Sequence, residues 1–531
     1  MISTRSKGVT EPIQARPTGT EEFVELLEHL PSDTTEREAI TVEAPYTGEP
    51  LGSVPAHTES DVERATERAA DAQKSWADRS FGERAAVVKR YHDLVLDRQD
   101  ELLDLVQRES GKSRRAAYEE LLDVAITSRY YAYHGEDHLT SRRRTGALPL
   151  LTKTVEHHHP VGVVGIIAPW NYPLTLAVSD AIPALLAGNS VVLKPAEETP
   201  FTALLAVSLL REAGLPEDAL QVVTGHGSTI GPPLIENSDF LMFTGSTETG
   251  KTVAEQAGAN LTKCSMELGG KNPLLVFDDA DLAKTTEGAI RGCFTNAGQL
   301  CISLERCYLQ SGVRDEFERR FVAAVEDLDL GTSLDYGPDV GSLASADQLE
   351  KVKSHVADAR EKGATVLTGG EARPDVGPYF YEPTVLADVT PDMTVASEET
   401  FGPVVSLYEF EGTEEAIERA NDSDRGLNAS VWTEDTERGH AVAKRIECGT
   451  VNINEAYVAA WGSVDAPMGG MKESGLGRRH GREGIQKYTE SQTVAEQRVA
   501  PLAAPPGVPE WLYTTGMTAA LRAMKRIPGL R

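Results

Sequence analysis

Residues 161–170 read VGVVGIIAPW, and the apolar part of this stretch, 161–168, has the length of a buried strand. Three further short apolar runs follow it at 190–193, 220–223 and 240–243, with helical segments between them. Alternation of strands and helices predicts a parallel α/β sheet. A second alternating stretch, from Asn272 to about Asn454, has strand candidates near 274–277 and 404–410 and predicts a second α/β domain.

The composition is that of a globular chain with an acidic surface. Its 531 residues are too many for one core and allow about three domains. The 82 acidic and 52 basic residues give a net charge of −30, which disfavours binding to phosphate backbones and to anionic lipid. We therefore expect no nucleic-acid partner and no membrane partner. Such a charge is best tolerated under strong screening, which indicates a salt-adapted source.

The cysteines and the apolar segments predict a location for the chain. Five cysteines, an odd number without a CxxC pair, indicate neither a disulfide framework nor a zinc site. The first 20 residues have no apolar core of a signal peptide, and the stretch 161–170 is too short to span a bilayer. We expect a cytoplasmic protein. The histidines at 157–159 have no accompanying ligand pattern, so no metal site is predicted.

A phosphate-loop pattern directly follows the strand candidate 240–243. Residues 245–252 read GSTETGKT and fit G-x-x-x-x-G-K-[ST], which leaves a P-loop NTPase open, with Asp278 as a magnesium ligand. Against it, Glu248 would place a carboxylate inside the phosphate cradle, and the spacing to Asp278 is short. The alternative interpretation is a tight turn, 245–250, into a helix whose N-terminus faces a cofactor.

Three other segments together supply the parts of a covalent catalytic site. Residues 294–301, FTNAGQLC, place Cys301 shortly after a glycine, where backbone amides can converge on its sulfur. Residues 266–271 supply Glu267 between apolar neighbours, and Asn171 lies between two prolines in 169–173. A thiol, a carboxylate and an amide are a candidate nucleophile, base and oxyanion donor.

These segments, with KPAE at 194–197, ETFGP at 399–403 and PMGGMKESG at 467–475, resemble the aldehyde dehydrogenase superfamily from about residue 45 to 490. The resemblance implies that Cys301 attacks an aldehyde and that Asn171 and the Cys301 N–H hold the oxyanion. It implies a thioester on Cys301 after hydride transfer. Glu267 would then activate the water that hydrolyses the thioester to the carboxylate.

The resemblance also implies a nicotinamide cofactor. Lys194 and Glu197 match the family's positions that bind the adenosine ribose. Gly245 and Ser246 match its turn beside the pyrophosphate, and Glu399 and Phe401 match its contacts to the nicotinamide ribose. Trp170 and Gly250 complete the set of expected cofactor contacts. This family lacks the G-x-G-x-x-G fingerprint, so its absence does not argue against NAD. A carboxylate at Glu197 favours NAD over NADP, because it repels a 2′-phosphate, although a rotated side chain admits NADP.

The aldehyde itself is less well defined. The sequences around Glu267 and Cys301 most resemble those of succinate-semialdehyde dehydrogenases. However, Val178, Ser179 and Asp180 occupy positions where some semialdehyde enzymes have an arginine. A general or aromatic aldehyde in a pocket lined by Trp170, Tyr457 and Trp461 is therefore the alternative. An acylating enzyme that passes the thioester to coenzyme A is disfavoured by Glu267, which favours water.

The expected architecture is α/β: a Rossmann-like cofactor domain plus a catalytic α/β domain with a small β oligomerisation flap. Helical periodicity at 60–76 and 81–110 belongs to the cofactor domain. The flap implies a homodimer or a homotetramer. The predicted bounds are 1–40 for a polar extension, 41–138 with 161–268 for the cofactor domain, 139–160 with 486–498 for the flap, 269–485 for the catalytic domain and 499–531 for a tail.

Overall fold

The computed structural model describes residues 23–30, 38–147, 152–498 and 503–526. Much of the predicted extension, residues 148–151 of the predicted flap and both ends of the predicted tail lie outside the described residues. The strands are, in chain order, β1 (Ala39–Ala44), β2 (Glu49–Pro55), β3 (Arg142–Arg144), β4 (Thr152–Pro160), β5 (Val163–Ile167), β6 (Ser190–Lys194), β7 (Leu220–Val222), β8 (Phe240–Thr244), β9 (Lys263–Glu267), β10 (Asn272–Val276), β11 (Leu304–Gln310), β12 (Thr365–Thr368), β13 (Thr384–Ala387), β14 (Val404–Phe410), β15 (Arg425–Gly426), β16 (Asn428–Trp432), β17 (Thr450–Ile453), β18 (Met471–Lys472), β19 (Gly475–Leu476) and β20 (Thr489–Gln497).

The α-helices lie between these strands and at both ends of the described chain. They are α1 (Val24–Leu27), α2 (Glu59–Ala77), α3 (Phe81–Asp97), α4 (Gln99–Ser110), α5 (Arg114–Leu139), α6 (Pro173–Val178), α7 (Ala181–Leu186), α8 (Pro200–Glu212), α9 (Gly227–Glu236), α10 (Thr247–Ala259), α11 (Leu282–Phe294), α12 (Arg314–Glu326), α13 (Ala346–Glu361), α14 (Thr394–Ser397), α15 (Thr413–Asn421), α16 (Thr436–Ala443), α17 (Val458–Trp461), α18 (Gly481–Gln486) and α19 (Glu510–Met524). The alternation predicted from the sequence is therefore present.

The first large sheet has six strands in the order β19-β9-β8-β5-β6-β7. Its strands from β9 to β7 are mutually parallel, and only β19 joins antiparallel. The four predicted apolar runs fall on β5, β6, β7 and β8, which confirms them as strands. All but the ends of these strands are buried, as expected for a parallel sheet covered on both faces.

The second large sheet has seven strands in the order β12-β13-β14-β11-β10-β16-β17. Its strands are parallel except for β12, which pairs antiparallel with β13. The strand predictions at 274–277 and 404–410 fall on β10 and β14, which confirms the second α/β unit. The chain passes from β9 to β10 through residues 268–271 alone, so the two sheets are directly connected.

Helices α2 to α5 precede the first sheet and confirm the predicted helical region. Residues 81–110 form two helices, α3 and α4, because the chain turns at Arg98 (φ −105°, ψ 27°). Capping boxes at Thr58 and Ser80 begin α2 and α3. The buried Trp76 indole donates to the carbonyl of Leu185 at 2.8 Å and so ties α2 to α7.

A separate three-stranded antiparallel sheet has the order β20-β4-β3. Strand β4 pairs with β20 from Pro160 opposite Thr489 to Thr152 opposite Gln497. These strands lie within the predicted flap segments, and β20 is exposed along nearly all of its length. The pairing joins two parts of the chain more than 300 residues apart, while the predicted domain bounds remain predictions.

The described ends of the chain differ in how they pack. Phe23 stacks on Phe201 with ring centroids 4.2 Å apart, and Leu30 is also buried, so this part of the predicted extension packs on the body. Helix α19, in the predicted tail, buries none of its residues. Among the helices that the structure describes, none is both long and apolar enough to cross a membrane. Within the same described ranges, no group of three or more His, Cys, Asp or Glu is arranged to hold a metal ion.

Candidate active site

The candidate residues lie on two sheet edges. In the first sheet they follow or end strands at the carboxyl edge, where open α/β sheets bind ligands; in the second sheet they precede strands at the amino edge. The carboxyl edge carries Trp170 and Asn171 after β5, Lys194 on β6, Gly245 after β8 and Glu267 on β9; the amino edge carries Cys301 before β11 and Glu399 and Phe401 before β14. The short connection 268–271 and the contacts described below bring these edges together.

A strained turn places Cys301. Asn296, Ala297 and Gly298 all have positive φ, between 52° and 71°, and a Cβ on Gly298 would overlap the carbonyl oxygen of Gly402. Asn272 then fixes the main chain, because its Nδ2 donates to the carbonyl of Cys301 at 2.8 Å. The thiol is half-buried, and burial, followed by the charges of Glu399 and Glu267, raises the pKa of Cys301 to about 12. The resting sulfur is therefore a neutral thiol.

Asn171 lies beside the same turn. Its Nδ2 donates to the carbonyl of Gln299 at 3.1 Å, two residues before Cys301. Its own carbonyl accepts from Lys112 Nζ at 2.7 Å and from Asn296 Nδ2 at 3.0 Å. An amide nitrogen has two protons, so Nδ2 keeps one donor for a further acceptor. The predicted nucleophile and the predicted oxyanion donor are thus brought together.

Glu267 ends β9 with a carboxylate oxygen, Oε1, that is buried and has no hydrogen-bond partner. This oxygen faces Gly469, on which a Cβ would lie only 3.1 Å away. Burial raises the pKa of Glu267 to about 7, while Arg479 and Lys487 counteract that rise. A buried carboxylate with a pKa near neutrality and a free oxygen has the properties of a general base.

The cations around Glu267 belong to a buried network that the sequence did not reveal. Asp180 accepts from Arg479 Nη2 at 2.9 Å, from Lys487 Nζ at 3.1 Å and from the Tyr488 hydroxyl at 3.0 Å. Burial alone would raise the pKa of Asp180, but these cations lower it to about 2. The segment that carries Arg479 also pairs with β9 through β19, next to Glu267. The contact between Asp180 and Arg479 could not be predicted from local sequence, because the two residues lie some 300 positions apart.

At the end of β6, Lys194 and Glu197 lie together beside the N-terminus of α9. Lys194 Nζ is 3.5 Å from Glu197 Oε1, and Gly227 N donates to the same oxygen at 2.9 Å. His226 Nδ1 lies 2.8 Å from Glu197 Oε2. Burial would raise the pKa of Glu197, but the hydrogen bonds from Gly227 and His226 outweigh it and hold the pKa below its usual value. The group is therefore a carboxylate flanked by cationic or donor groups.

The structure excludes the phosphate-loop interpretation. Helix α10 begins at Thr247 with Ser246 as its N-cap, so only two residues separate it from β8. A phosphate loop needs a longer stretch of free backbone to cradle its ligand. Gly250 lies inside the helix against Leu268, and Lys251 pairs with Glu473 at 2.8 Å. The predicted turn into a helix is present but is shorter than 245–250, since only Gly245 and Ser246 lie between β8 and α10. A Cβ on Gly245 would lie 2.6 Å from the Phe243 ring.

Glu399, Phe401 and Trp170 meet where the two edges approach. Glu399 Oε1 accepts from Gly270 N at 2.8 Å, and Arg425 lies 3.5 Å from its other oxygen. Phe401 has a φ of 55°, and its ring meets Trp170 edge to face with centroids 5.5 Å apart. A buried ion pair between Lys271 and Glu305, which the sequence did not single out, holds this loop, since Glu305 accepts from the main-chain N–H of Phe401 at 3.0 Å.

Comparison with known proteins agrees with this geometry. Residues 32–494 match the profile of the aldehyde dehydrogenase family. A protein of Mycolicibacterium smegmatis named "Putative succinate-semialdehyde dehydrogenase" with NADP(+) is 51% identical over 497 residues, 94% of this chain and 96% of that protein. A succinate semialdehyde dehydrogenase of Acinetobacter baylyi is 37% identical over 86% of this chain and 94% of its own.

Solved structures show the same fold. An NADP-dependent enzyme of E. coli superposes with a TM-score of 0.83 and 38% identity, covering 87% of this chain and 95% of its own. A betaine aldehyde dehydrogenase of Staphylococcus aureus in complex with NAD+ superposes with a TM-score of 0.84 and 33% identity, covering 91% of this chain and 98% of its own. The sequence match and the shared fold lead to one conclusion: the chain belongs to the aldehyde dehydrogenase family.

Proposed function

We propose that the chain oxidises a small aldehyde to its carboxylate with NAD+ or NADP+, through a thioester on Cys301. The observation that supports this most directly is the placement of a thiol, an amide donor and a buried carboxylate with one unpartnered oxygen on two sheet edges that meet. Water, rather than coenzyme A, is the acceptor of the acyl group, because Glu267 offers water a buried carboxylate oxygen that has no hydrogen-bond partner.

The residues on the carboxyl edge fit a dinucleotide. Lys194 and Glu197 offer an amine and a carboxylate to ribose hydroxyls, and the N-terminus of α10 after Gly245 and Ser246 suits a pyrophosphate. Glu399 and Phe401, with Trp170, would hold the nicotinamide end. When bound, the cofactor accepts the hydride that leaves the substrate carbon.

The protein residues act in two stages. Cys301 Sγ bonds to the aldehyde carbon as the thiol proton passes to solvent, and the resulting oxyanion is held by the free N–H of Asn171 and by the Cys301 N–H. After hydride loss, the acyl group is a thioester on Cys301. Glu267 then takes a proton from water, and hydroxide adds to the thioester carbon. The C–S bond breaks, the product acid loses its proton to solvent and leaves as the carboxylate, and Glu267 gives the proton it took from water to the Cys301 thiolate.

The names of the relatives include both an anionic and a cationic aldehyde, since succinate semialdehyde ends in a carboxylate and betaine aldehyde in a quaternary ammonium. Succinate semialdehyde is the first candidate because it recurs in the names of relatives about 50% identical. A general aldehyde is the alternative.

Assembly and location are part of the same proposal. We infer that the exposed sheet β20-β4-β3 pairs with a second copy to give a dimer or a tetramer, because open strand edges pair readily. Sedimentation analysis would overturn this if the protein were monomeric. All five cysteines are free thiols, which supports a cytoplasmic location.

The proposed function is tested by measuring reduced nicotinamide with NAD+ and with NADP+ across short aldehydes. We expect turnover by the wild type and a loss of at least about 10³-fold in C301A, since no other group replaces the nucleophile. C264A is the matched control, because Cys264 is also half-buried but has no place in the mechanism. Full activity in C301A would contradict the assignment.

A further inference from the structure

Glu119, on α5, is a carboxylate beside the active site to which the proposed mechanism gives no role. It accepts hydrogen bonds from the Tyr457 hydroxyl, at 2.9 and 3.1 Å to its two oxygens, and from the Tyr172 hydroxyl at 3.4 Å. Both tyrosines are buried, whereas the Glu119 side chain is only half-buried. A carboxylate offers about four lone-pair positions, so Glu119 can accept from a further donor.

The two tyrosines connect Glu119 to the reacting centre. Tyr172 directly follows Asn171, whose amide reaches the carbonyl of Gln299. Burial, followed by the charge of Glu119, raises the pKa of Tyr172.

Tyr457 approaches from the other side. It follows Ala456, and the Asn428 amide donates both to the carbonyl of Ala456 at 3.3 Å and to that of Ile302, next to Cys301, at 3.0 Å. Glu119 therefore contacts two tyrosines whose chain neighbours, Asn171 and Ala456, are linked by amide hydrogen bonds to the segment that carries Cys301.

The nearby cations are already paired. Lys112 is buried against Glu120, Arg291 pairs with Glu455, and Arg479 pairs with Asp180. Arg306, which follows Cys301 closely in sequence, donates to the carbonyls of Lys271, Arg419, Ala420 and Asp422. Glu119 therefore adds a negative charge to this side of the site without a cation of its own.

We propose that Glu119, held by Tyr172 and Tyr457, is a specificity residue of the aldehyde pocket that favours substrates whose far end is an ammonium or another hydrogen-bond donor over substrates that end in a carboxylate. An ammonium gains a charge-assisted hydrogen bond there, whereas a carboxylate meets a like charge in a partly desolvated site. The inference rests on the proposed function, and within it favours an amino-terminated aldehyde over succinate semialdehyde, the candidate that the names of the relatives suggest.

The test compares three unbranched four-carbon aldehydes that differ only at the far end: 4-aminobutanal, butanal and succinate semialdehyde. At pH 8 we expect the wild-type kcat/KM to fall in that order. In E119Q, kcat/KM should fall about 10-fold or more for 4-aminobutanal, rise about 10-fold for succinate semialdehyde and stay within about 2-fold for butanal. Glu136 is exposed on the same helix, so E136Q is the matched control and should change none of the three.

A pH series gives a second readout that a folding defect cannot imitate. Burial raises the pKa of Glu119 to about 7, while the Tyr457 hydrogen bond, Lys112, Arg291 and the Tyr172 hydrogen bond oppose that rise. The wild-type preference for 4-aminobutanal over butanal should therefore increase as the pH rises through about 7. In E119Q the same ratio should stay flat, because the amide does not ionise.

Turnover of butanal distinguishes a wrong role for Glu119 from a wrong proposed function. If wild type and E119Q both oxidise butanal, but succinate semialdehyde is the preferred wild-type substrate or E119Q changes all three aldehydes equally, the role of Glu119 is wrong and the proposed function stands. If the wild type oxidises none of the three, the proposed function fails, and this inference fails with it.

Discussion

Among the cations that lower the pKa of Glu267, Arg479 has the largest effect. Because the pKa of Glu267 is raised to about 7 and its ionised form is the base, kcat should rise with pH through about 7. In R479Q the cation that most lowers the pKa of Glu267 is absent. The acidic limb of the pH–rate profile should therefore move to a higher pH by about one unit or more. R479K should keep the limb near its wild-type position.

A pH–rate profile for the three proteins checks this expectation. Arg482 is an exposed arginine three residues further along, so R482Q serves as the control. A purely structural role of Arg479 would lower kcat at every pH alike, and an unshifted limb in R479Q would rule out the electrostatic role.

Glu197 should set the cofactor preference. Its carboxylate suits ribose hydroxyls and repels a 2′-phosphate, while Lys194 and His226 beside it suit the phosphate. We expect E197Q to raise kcat/KM for NADP+ relative to NAD+ by about 10-fold, which steady-state kinetics with both cofactors would measure. An unchanged ratio would place the discrimination elsewhere in the chain.

At the scale of elements, the turn before Cys301 is the part of the site that tolerates least change. Gly298 has a φ of 71°, and a Cβ there would overlap Gly402. G298A should therefore lower the free energy of unfolding by about 2 kcal/mol or more and displace the nucleophile. G82A, at an open position in α3, is the control and should be close to neutral. Thermal unfolding measures the loss of stability in G298A and G82A, and kcat measures the displacement of Cys301. A wild-type Tm in G298A would show that the turn does not require a glycine at this position.

The elements show which features the sequence can predict. Strands β5, β6, β7 and β8 were predicted within one or two residues, because strands buried on both faces leave continuous apolar runs between helical segments. The break between α3 and α4 at Arg98 was not predicted, since both helices continue the same apolar periodicity and no Gly or Pro marks the turn. Hydrophobic pattern defines an element better than it defines its ends.

The sequence identified the site residues that lie in characteristic short segments, but not those that depend on distant partners. Cys301, Glu267 and Asn171 were identified because each lies in a short segment with its own signature. Asp180, Arg479 and Glu119 were missed as functional candidates, because their roles depend on partners far away in the chain, such as Lys487 for Asp180 and Tyr457 for Glu119. Long-range pairs of this kind leave no trace in local sequence.

At the scale of the whole molecule, the net charge of −30 predicts a dependence on salt. Mutual repulsion of surface carboxylates destabilises the folded chain at low ionic strength, and screening reduces it. Raising KCl from about 0.1 M to about 2 M should therefore raise the Tm and leave turnover intact. Thermal scans and initial rates over this range test the expectation. A Tm that falls with salt would instead indicate that ion pairs across the surface stabilise the fold.

The central claim is that Glu267 releases the acyl group from Cys301. It is tested most directly by rapid mixing of E267Q with aldehyde and cofactor at high pH, with detection of reduced nicotinamide and of acylated Cys301 by mass spectrometry. We predict a burst of about one equivalent per site, a trapped thioester on Cys301 and a steady-state rate at least about 10²-fold below wild type. Unimpaired steady-state turnover in E267Q, or a burst without any acyl group on Cys301, would contradict the mechanism.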